Sequence, residues 1–188
     1  MTRLLFREDP YLRDAPATVL AHTEEGGIVL DASVFYPTGG GQLGDSGVLV
    51  WQGRRLTIAT AVKAKDDSVV LVPAEPLALP SVGTQIMQHL DWDRRHKHMR
   101  VHTALHLLSV AVPFGVTGGS ISANPGRLDL DMPEAPDDRE ALEHALNSYV
   151  EADLRVSDCW ITQAELDASP GLVKTMAVKP PRGSGDVR

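Results

Sequence analysis

Between Ala17 and about Leu90 the chain is written in apolar runs of three or four residues, each stopped by turn residues. That rhythm constrains the fold more than any other feature, because it suits short strands and no long helix. Thr18-Val19-Leu20 and Ile28-Val29-Leu30 flank Glu24-Glu25-Gly26-Gly27, and Val48-Leu49-Val50-Trp51 and Leu56-Thr57-Ile58 flank Gln52-Gly53. Both read as hairpins. Lys65-Asp66-Asp67-Ser68 then turns the chain into Val69-Val70-Leu71-Val72. Short strands at this spacing close most economically as a small barrel, since closure leaves no unpaired edge. Pro73 to Pro80 holds three prolines, which cannot donate to a sheet ladder. The expected boundary lies there, with a β-barrel domain over 1–80 and a second domain over 81–188.

The second domain reads as α+β. Asp91 caps an expected helix from Asp93 to about Val112, with Val101, Leu105, Leu108 and Val112 on one stripe and Pro113 as its stop. Gly118–Ala123 and Leu128–Asp131 flank Asn124-Pro125-Gly126 as a further hairpin. Asp137 with Glu140 signals a helix carrying Leu142, Leu146, Tyr149 and Val150, and Thr162 with Glu165 signals a short one before Ser169-Pro170-Gly171.

Composition narrows the function classes. A length of 188 residues fits one domain or two small ones, and 43% hydrophobic with 23% charged residues is ordinary globular usage. The net charge of −7 has the wrong sign for coating nucleic acid, and 5% aromatic residues argue against a surface built mainly for stacking bases. RNA contact must therefore come from a local patch, for which Arg94, Arg95, Lys97 and Arg100 are the candidates; the same charges also suit a solvated face paired with Asp91 and Asp93. No apolar run reaches the length of a membrane span, and Arg7-Glu8-Asp9 breaks any signal-peptide core after Phe6. The single Cys159 excludes an internal disulfide and fits a reducing compartment, so a cytoplasmic location is expected.

Two stretches carry chemistry. His98, His102 and His106 form two pairs at spacing four, where seven histidines placed at random would give about a quarter of one such pair. Spacing four on a helix brings two imidazoles together, which suits one metal ion. His102 and His106 are the preferred pair because they sit against the apolar stripe, whereas His98 lies in a charged run. Two polar positions on a half-buried helix would show the same spacing. The other stretch is Phe35-Tyr36-Pro37-Thr38-Gly39-Gly40-Gly41-Gln42-Leu43-Gly44-Asp45-Ser46-Gly47. Its glycines let backbone amides approach a carbonyl or phosphate oxygen, and Thr38 and Gln42 offer polar side chains beside them. A tight barrel turn is the alternative reading.

Tyr36 to Gln42 followed by Asp45-Ser46-Gly47, then Asp91-Trp92-Asp93-Arg94-Arg95 leading through Met99-Arg100-Val101-His102-Thr103-Ala104 to His106-Leu107-Leu108, resembles the editing domain of alanyl-tRNA synthetase and its free-standing AlaX-type relatives. The resemblance covers nearly the whole chain. It implies a β-barrel before an α+β domain of the kind shared with threonyl-tRNA synthetase. It also implies a hydrolase that deacylates mischarged tRNA(Ala), chiefly seryl-tRNA(Ala). The family's first metal motif falls on His102 and His106, which would hold zinc with a catalytic water. Its glycine-rich segment falls on Thr38, Gly40, Gly41 and Gln42 as substrate-binding residues, with the loop amides as candidates for the oxyanion. The family completes its zinc site with Cys-x-x-x-His, and Cys159-Trp160-Ile161-Thr162-Gln163 lacks that form. The tail Lys179–Arg188 reads as the lead-in to the strand that carries it, so the chain is expected to stop short of the motif. A metal-free tRNA-binding or partner-binding module with the same fold is the alternative, and an unrelated zinc hydrolase of small esters a weaker one.

Overall fold

The computed structural model describes residues 2–64, 66, 68–157, 159–176 and 186–187. The chain divides into two compact units, residues 1–100 with 121–125 and residues 101–120 with 126–188. In chain order the elements are β1 (Arg3–Leu4), α1 (Leu5–Glu8), β2 (Asp14–His22), β3 (Ile28–Leu30), β4 (Ala32–Ser33), β5 (Gly47–Trp51), β6 (Arg54–Lys63), β7 (Val69–Pro73), β8 (Gln85–Leu90) and α2 (Trp92–Ala111), then β9 (Gly115–Ile121), β10 (Gly126–Asp131), α3 (Arg139–Glu151), β11 (Ile161–Thr162), α4 (Gln163–Ala168), a 3-10 turn (Pro170–Leu172) and β12 (Asp186–Val187). Barrel and helices together make a mixed α+β fold. Among the described residues no helix is long and apolar enough to cross a membrane.

In the first unit six strands close into a barrel in the order β2-β3-β7-β6-β5-β8, each neighbouring pair antiparallel. Period-two alternation selects the residues that fill it: Ala15, Ala17 and Val19 from β2, Leu49 and Trp51 from β5, Leu56 and Ile58 from β6, Ile86 and Leu90 from β8. Register shifts between Val19 and Ala21 and between Ile58 and Thr60 bend the strands toward closure. The one polar intruder among the β8 core positions, Gln88, is fully buried and satisfied. Its Oε1 accepts from the Val34 amide at 3.2 Å and its Nε2 donates to the Ala32 carbonyl at 3.2 Å.

β8 changes the expected boundary. The prolines between Pro73 and Pro80 do lie off the ladder, but the chain then returns to pair with both β2 and β5. The barrel therefore runs to Leu90 rather than ending at residue 80, and the proline-rich segment is a connection within it.

The second unit contains α2 beyond residue 100, the paired strands β9 and β10, α3, α4 and the antiparallel pair β11–β12. Gly126, at the start of β10, lies close to Val101 and Leu105, and a Cβ there would meet Val101 at 2.6 Å. Helix starts follow side-chain chemistry. Asp91 Oδ1 accepts from the Arg94 amide at 3.2 Å, and Thr162 and Glu165 form the expected capping box. The cap of α3 is Asp138, accepting from the Ala141 amide, and not its neighbour Asp137. Of the second unit's described residues, Ser109, Val112 and Leu166 are buried and α3 buries none. Within the tail expected to lead toward a second metal motif, residues 179–185 and Arg188 lie outside the described residues.

Candidate active site

The glycine-rich segment belongs to the first unit and is built as a tight hairpin tip. Gly39 and Gln42 exchange amide-to-carbonyl hydrogen bonds, both 3.0 Å, around Gly40 (φ 59°) and Gly41 (φ 79°). Two successive positive φ values are what a type I′ turn demands, and only glycine meets them without strain. The Leu43 amide donates to the Ile121 carbonyl at 3.3 Å and the Gly44 amide to Thr38 Oγ1 at 2.9 Å. That leaves the Gly40 and Gly41 amides at the exposed tip without a hydrogen bond among the described residues. Of the loop amides considered for an oxyanion, those two are free.

Thr38 is engaged internally. Its hydroxyl donates to the Ala61 carbonyl at 3.3 Å while accepting from Gly44, which leaves one acceptor lone pair. Gln42 is 6% exposed, and its side-chain amide makes no hydrogen bond among the described residues. Of the two polar candidates, Gln42 is the one with unused donors and acceptors.

Beneath the loop lies a charged anchor. Tyr36 and Asp45 clamp the base of the loop: the Tyr36 amide donates to Asp45 Oδ2 at 2.6 Å, and the Asp45 amide to the Tyr36 carbonyl at 3.0 Å. Asp45 is fully buried and forms a two-pronged ion pair with the Arg95 guanidinium, whose Nη2 also donates to the Val34 carbonyl at 2.7 Å and Nη1 to the Pro10 carbonyl at 3.1 Å. Arg95 therefore leaves the set of surface cations expected to meet RNA; it lies inside because Asp45 needs a partner there. Arg94 donates to the Gly44 carbonyl at 3.2 Å and has its Nε buried, so it too holds the loop. Lys97 and Arg100 remain exposed.

The histidines are buried in the opposite order from the one expected. His98, assigned to the charged run, is 0% exposed, and among the described residues both its ring nitrogens lack a hydrogen-bond partner, as do Asp45 Oδ1 and Arg94 Nε. Burial pushes its pKa down, with the Arg94 and Arg95 charges adding to this and Asp45 and Asp91 opposing it. His98 is a neutral imidazole within the first unit. The reason lies in the first two turns of α2, whose inner face rests on the barrel and draws His98 in with Arg95.

His102 and His106 lie in the second unit. Spacing four brings them together as expected: the ring centroids are 4.9 Å apart and the planes differ by 14°, a stacked pair. His102 is half-buried and His106 exposed, so solvent is not excluded from the pair. Burial first, and the neighbouring His106 second, lower the pKa of His102 and keep its lone pair free. Zinc takes at least three protein ligands in known centres. Among the described residues no third histidine, cysteine or carboxylate joins the pair, and Cys159 is exposed. The described donors thus supply two ligands and do not complete a zinc site.

Sequence reasoning set His98 aside in favour of His102 and His106, and it quoted Asp45 within the glycine-rich segment without giving it a role of its own. An acidic residue inside a glycine-rich, otherwise uncharged stretch was the available signal, since such a carboxylate must find a cation once the loop packs down.

The family model described as tRNA synthetases class II (A) matches residues 13–94, a span that takes in the barrel, the glycine loop and the first turn of α2. The alanyl-tRNA editing protein AlaX-M of Pyrococcus horikoshii is 34% identical over 168 residues, covering 85% of this chain and 75% of that protein. AlaX-M of Saccharolobus solfataricus is 30% identical over 187 residues, 97% and 78% of the two chains. The chain belongs to the AlaX-type alanyl-tRNA editing proteins. The alanine–tRNA ligase of Pyrococcus furiosus is also similar, 34% identical over 178 residues, but the chain spans only 19% of that enzyme's length. For this AlaX-type chain the family resemblance seen in the glycine loop and the HxxxH helix is thus matched by similarity along most of its length.

Proposed function

We propose that the chain hydrolyses the ester between a wrong amino acid and tRNA(Ala), with seryl-tRNA(Ala) as the main substrate. The observation that carries the reading is its similarity to AlaX-M editing proteins over most of both chains. The residues support it in particular ways. Water attacks the aminoacyl carbonyl carbon, the bond to the ribose oxygen breaks, and free amino acid and tRNA leave. The Gly40 and Gly41 amides are free to stabilise the developing oxyanion, and the glycines at positive φ hold them there before substrate arrives. Gln42, with an unengaged side-chain amide in a mostly buried position, is the group suited to a seryl hydroxyl. Alanine leaves such a group unpaired, and that penalty is what separates the two substrates.

Zinc enters the proposal through His102 and His106, whose nitrogens would be two of its ligands. No third donor joins them among the described residues, so no step is routed through the ion. The two rings, stacked rather than converging, equally favour a second reading in which the chain binds tRNA without hydrolysing it. The test is deacylation of seryl-tRNA(Ala) with zinc content measured on the same preparation. Hydrolysis that falls on Gly41→Val and loses serine preference on Gln42→Ala supports the enzyme; tRNA binding with no hydrolysis at any zinc loading supports the binding module.

A further inference from the structure

We propose that Tyr11, Arg13, Trp92 and His96, flanked by Lys97 and Arg100, form a stacking platform for unpaired RNA nucleotides; the inference rests on tRNA being the substrate and names the surface that grips its single-stranded end. Rings are scarce in this chain, yet three gather here. Trp92 lies 5.4 Å from His96 with planes 17° apart, Tyr11 lies 5.7 Å from Trp92 at 46°, and the Arg13 guanidinium sits 4.3 Å over the Trp92 ring. Tyr11 is 61% exposed and His96 and Arg13 are exposed as well, so beyond their contacts with Trp92 these side chains keep surface that a ligand can reach.

Position and charge both favour RNA. Trp92, His96 and Arg100 recur at spacing four and so share one face of α2, with Lys97 beside them. The segment carrying Tyr11 and Arg13 is fixed before any ligand binds: Asp9 Oδ1 accepts from the Tyr11 amide at 2.8 Å, buried Arg95 donates to the Pro10 carbonyl, and the Leu90 amide donates to the Arg13 carbonyl at 2.8 Å. Nearby carboxylates are engaged elsewhere. Asp9 is held by the Tyr11 amide, Asp14 by His89, Glu8 by Arg3, and Asp91 by Ser46 and the Arg94 amide; Asp93 is the neighbouring carboxylate with no partner among the described residues, and Arg13, Lys97 and Arg100 offset it. Aromatic faces interleaved with cations are the chemistry that holds single-stranded nucleic acid, bases on the rings and phosphates on the cations. A duplex buries its base faces and could use only the cations.

The test compares a short single-stranded RNA with a blunt RNA duplex, using the full chain and fluorescence anisotropy. Tyr11→Ala with His96→Ala should weaken single-strand binding about tenfold or more and leave duplex binding within about twofold. Tyr11→Phe keeps a ring and should bind as wild type. Arg13→Gln with Lys97→Gln should lower the slope of log affinity against log salt by about 1.4. Wild-type affinity in the Tyr11/His96 double variant, equal losses on both RNAs, or an unvaried protein that binds neither RNA would each overturn the platform. Seryl-tRNA(Ala) deacylation is followed in parallel. Activity with an unchanged KM in the double variant condemns the platform alone, whereas ring-dependent RNA binding with no hydrolysis supports the platform and condemns the editing reading.

Discussion

The two ends of α2 treat the same residue types differently. Along its first two turns Arg94, Arg95 and His98 are drawn into the barrel unit, where Asp45, the Gly44 carbonyl and burial fix them. Further on, in the second unit, His102 and His106 keep partly or fully exposed rings that stack on each other and, among the described residues, make no ion pair. Around the first set the chain has a continuous apolar core from Leu5 to Leu90; around the second, few described residues are buried. The contrast shows that a charged or metal-binding look in sequence says little until packing has decided which side chains are consumed as structure. What remains unconsumed is the chemistry available for function.

Breaking the first set should cost the most. Arg95→Leu strands the buried Asp45 carboxylate, and unfolding in urea should show a loss of about 3–5 kcal/mol, or no folded protein. Asp45→Asn in the same background should recover part of that loss, because the stranded charge is gone. A single Arg95→Leu variant as stable as wild type would mean the anchor is not what holds the loop. Gly40→Ala comes next. Its positive φ should cost about 1–2 kcal/mol, and hydrolysis should fall with the displaced amides.

Acid sharpens the comparison further. Because His98 is neutral in the fold with a lowered pKa, the unfolded chain takes up its proton first, near the ordinary histidine value of about 6.5. Stability should therefore fall as pH drops below about 6.5 toward the folded value, and level off beneath it. His102 acts with the same sign. His98→Phe should flatten the melting temperature between pH 7.5 and 5.5 relative to wild type; an unchanged slope would place the acid sensitivity elsewhere. His106→Ala should do least to the fold, within about 0.5 kcal/mol, since its ring is exposed. A large loss there would show that the second unit depends on the stacked pair.

Much of the architecture was legible in sequence because strand rhythm and caps are local. The hairpin at Gln52-Gly53, the Asp91 cap and the Thr162–Glu165 box each need only neighbours a few residues away. The barrel's sixth strand was obscured by the prolines before it and by Gln85, Gln88 and His89 within it; the partners of Gln88 (Ala32 and Val34) and of His89 (Asp14) lie far away in the chain. The same distance hid the site. Spacing four disclosed the contact between His102 and His106, but nothing local told that His98 would be the buried one. Asp45 and Arg95 are 50 residues apart, so their ion pair could not be read from either stretch. Low aromatic content, taken as an argument against stacking, could not show that Tyr11 and Trp92 meet.

The most direct test of the central claim is the rate at which the protein deacylates seryl-tRNA(Ala) against alanyl-tRNA(Ala), measured side by side. The seryl ester should be hydrolysed about five- to 150-fold faster, since one satisfied buried hydrogen bond separates the two by roughly 1–3 kcal/mol, and Gln42→Ala should close the gap. Equal rates on the two esters, or a serine preference that survives Gln42→Ala intact, would contradict the account.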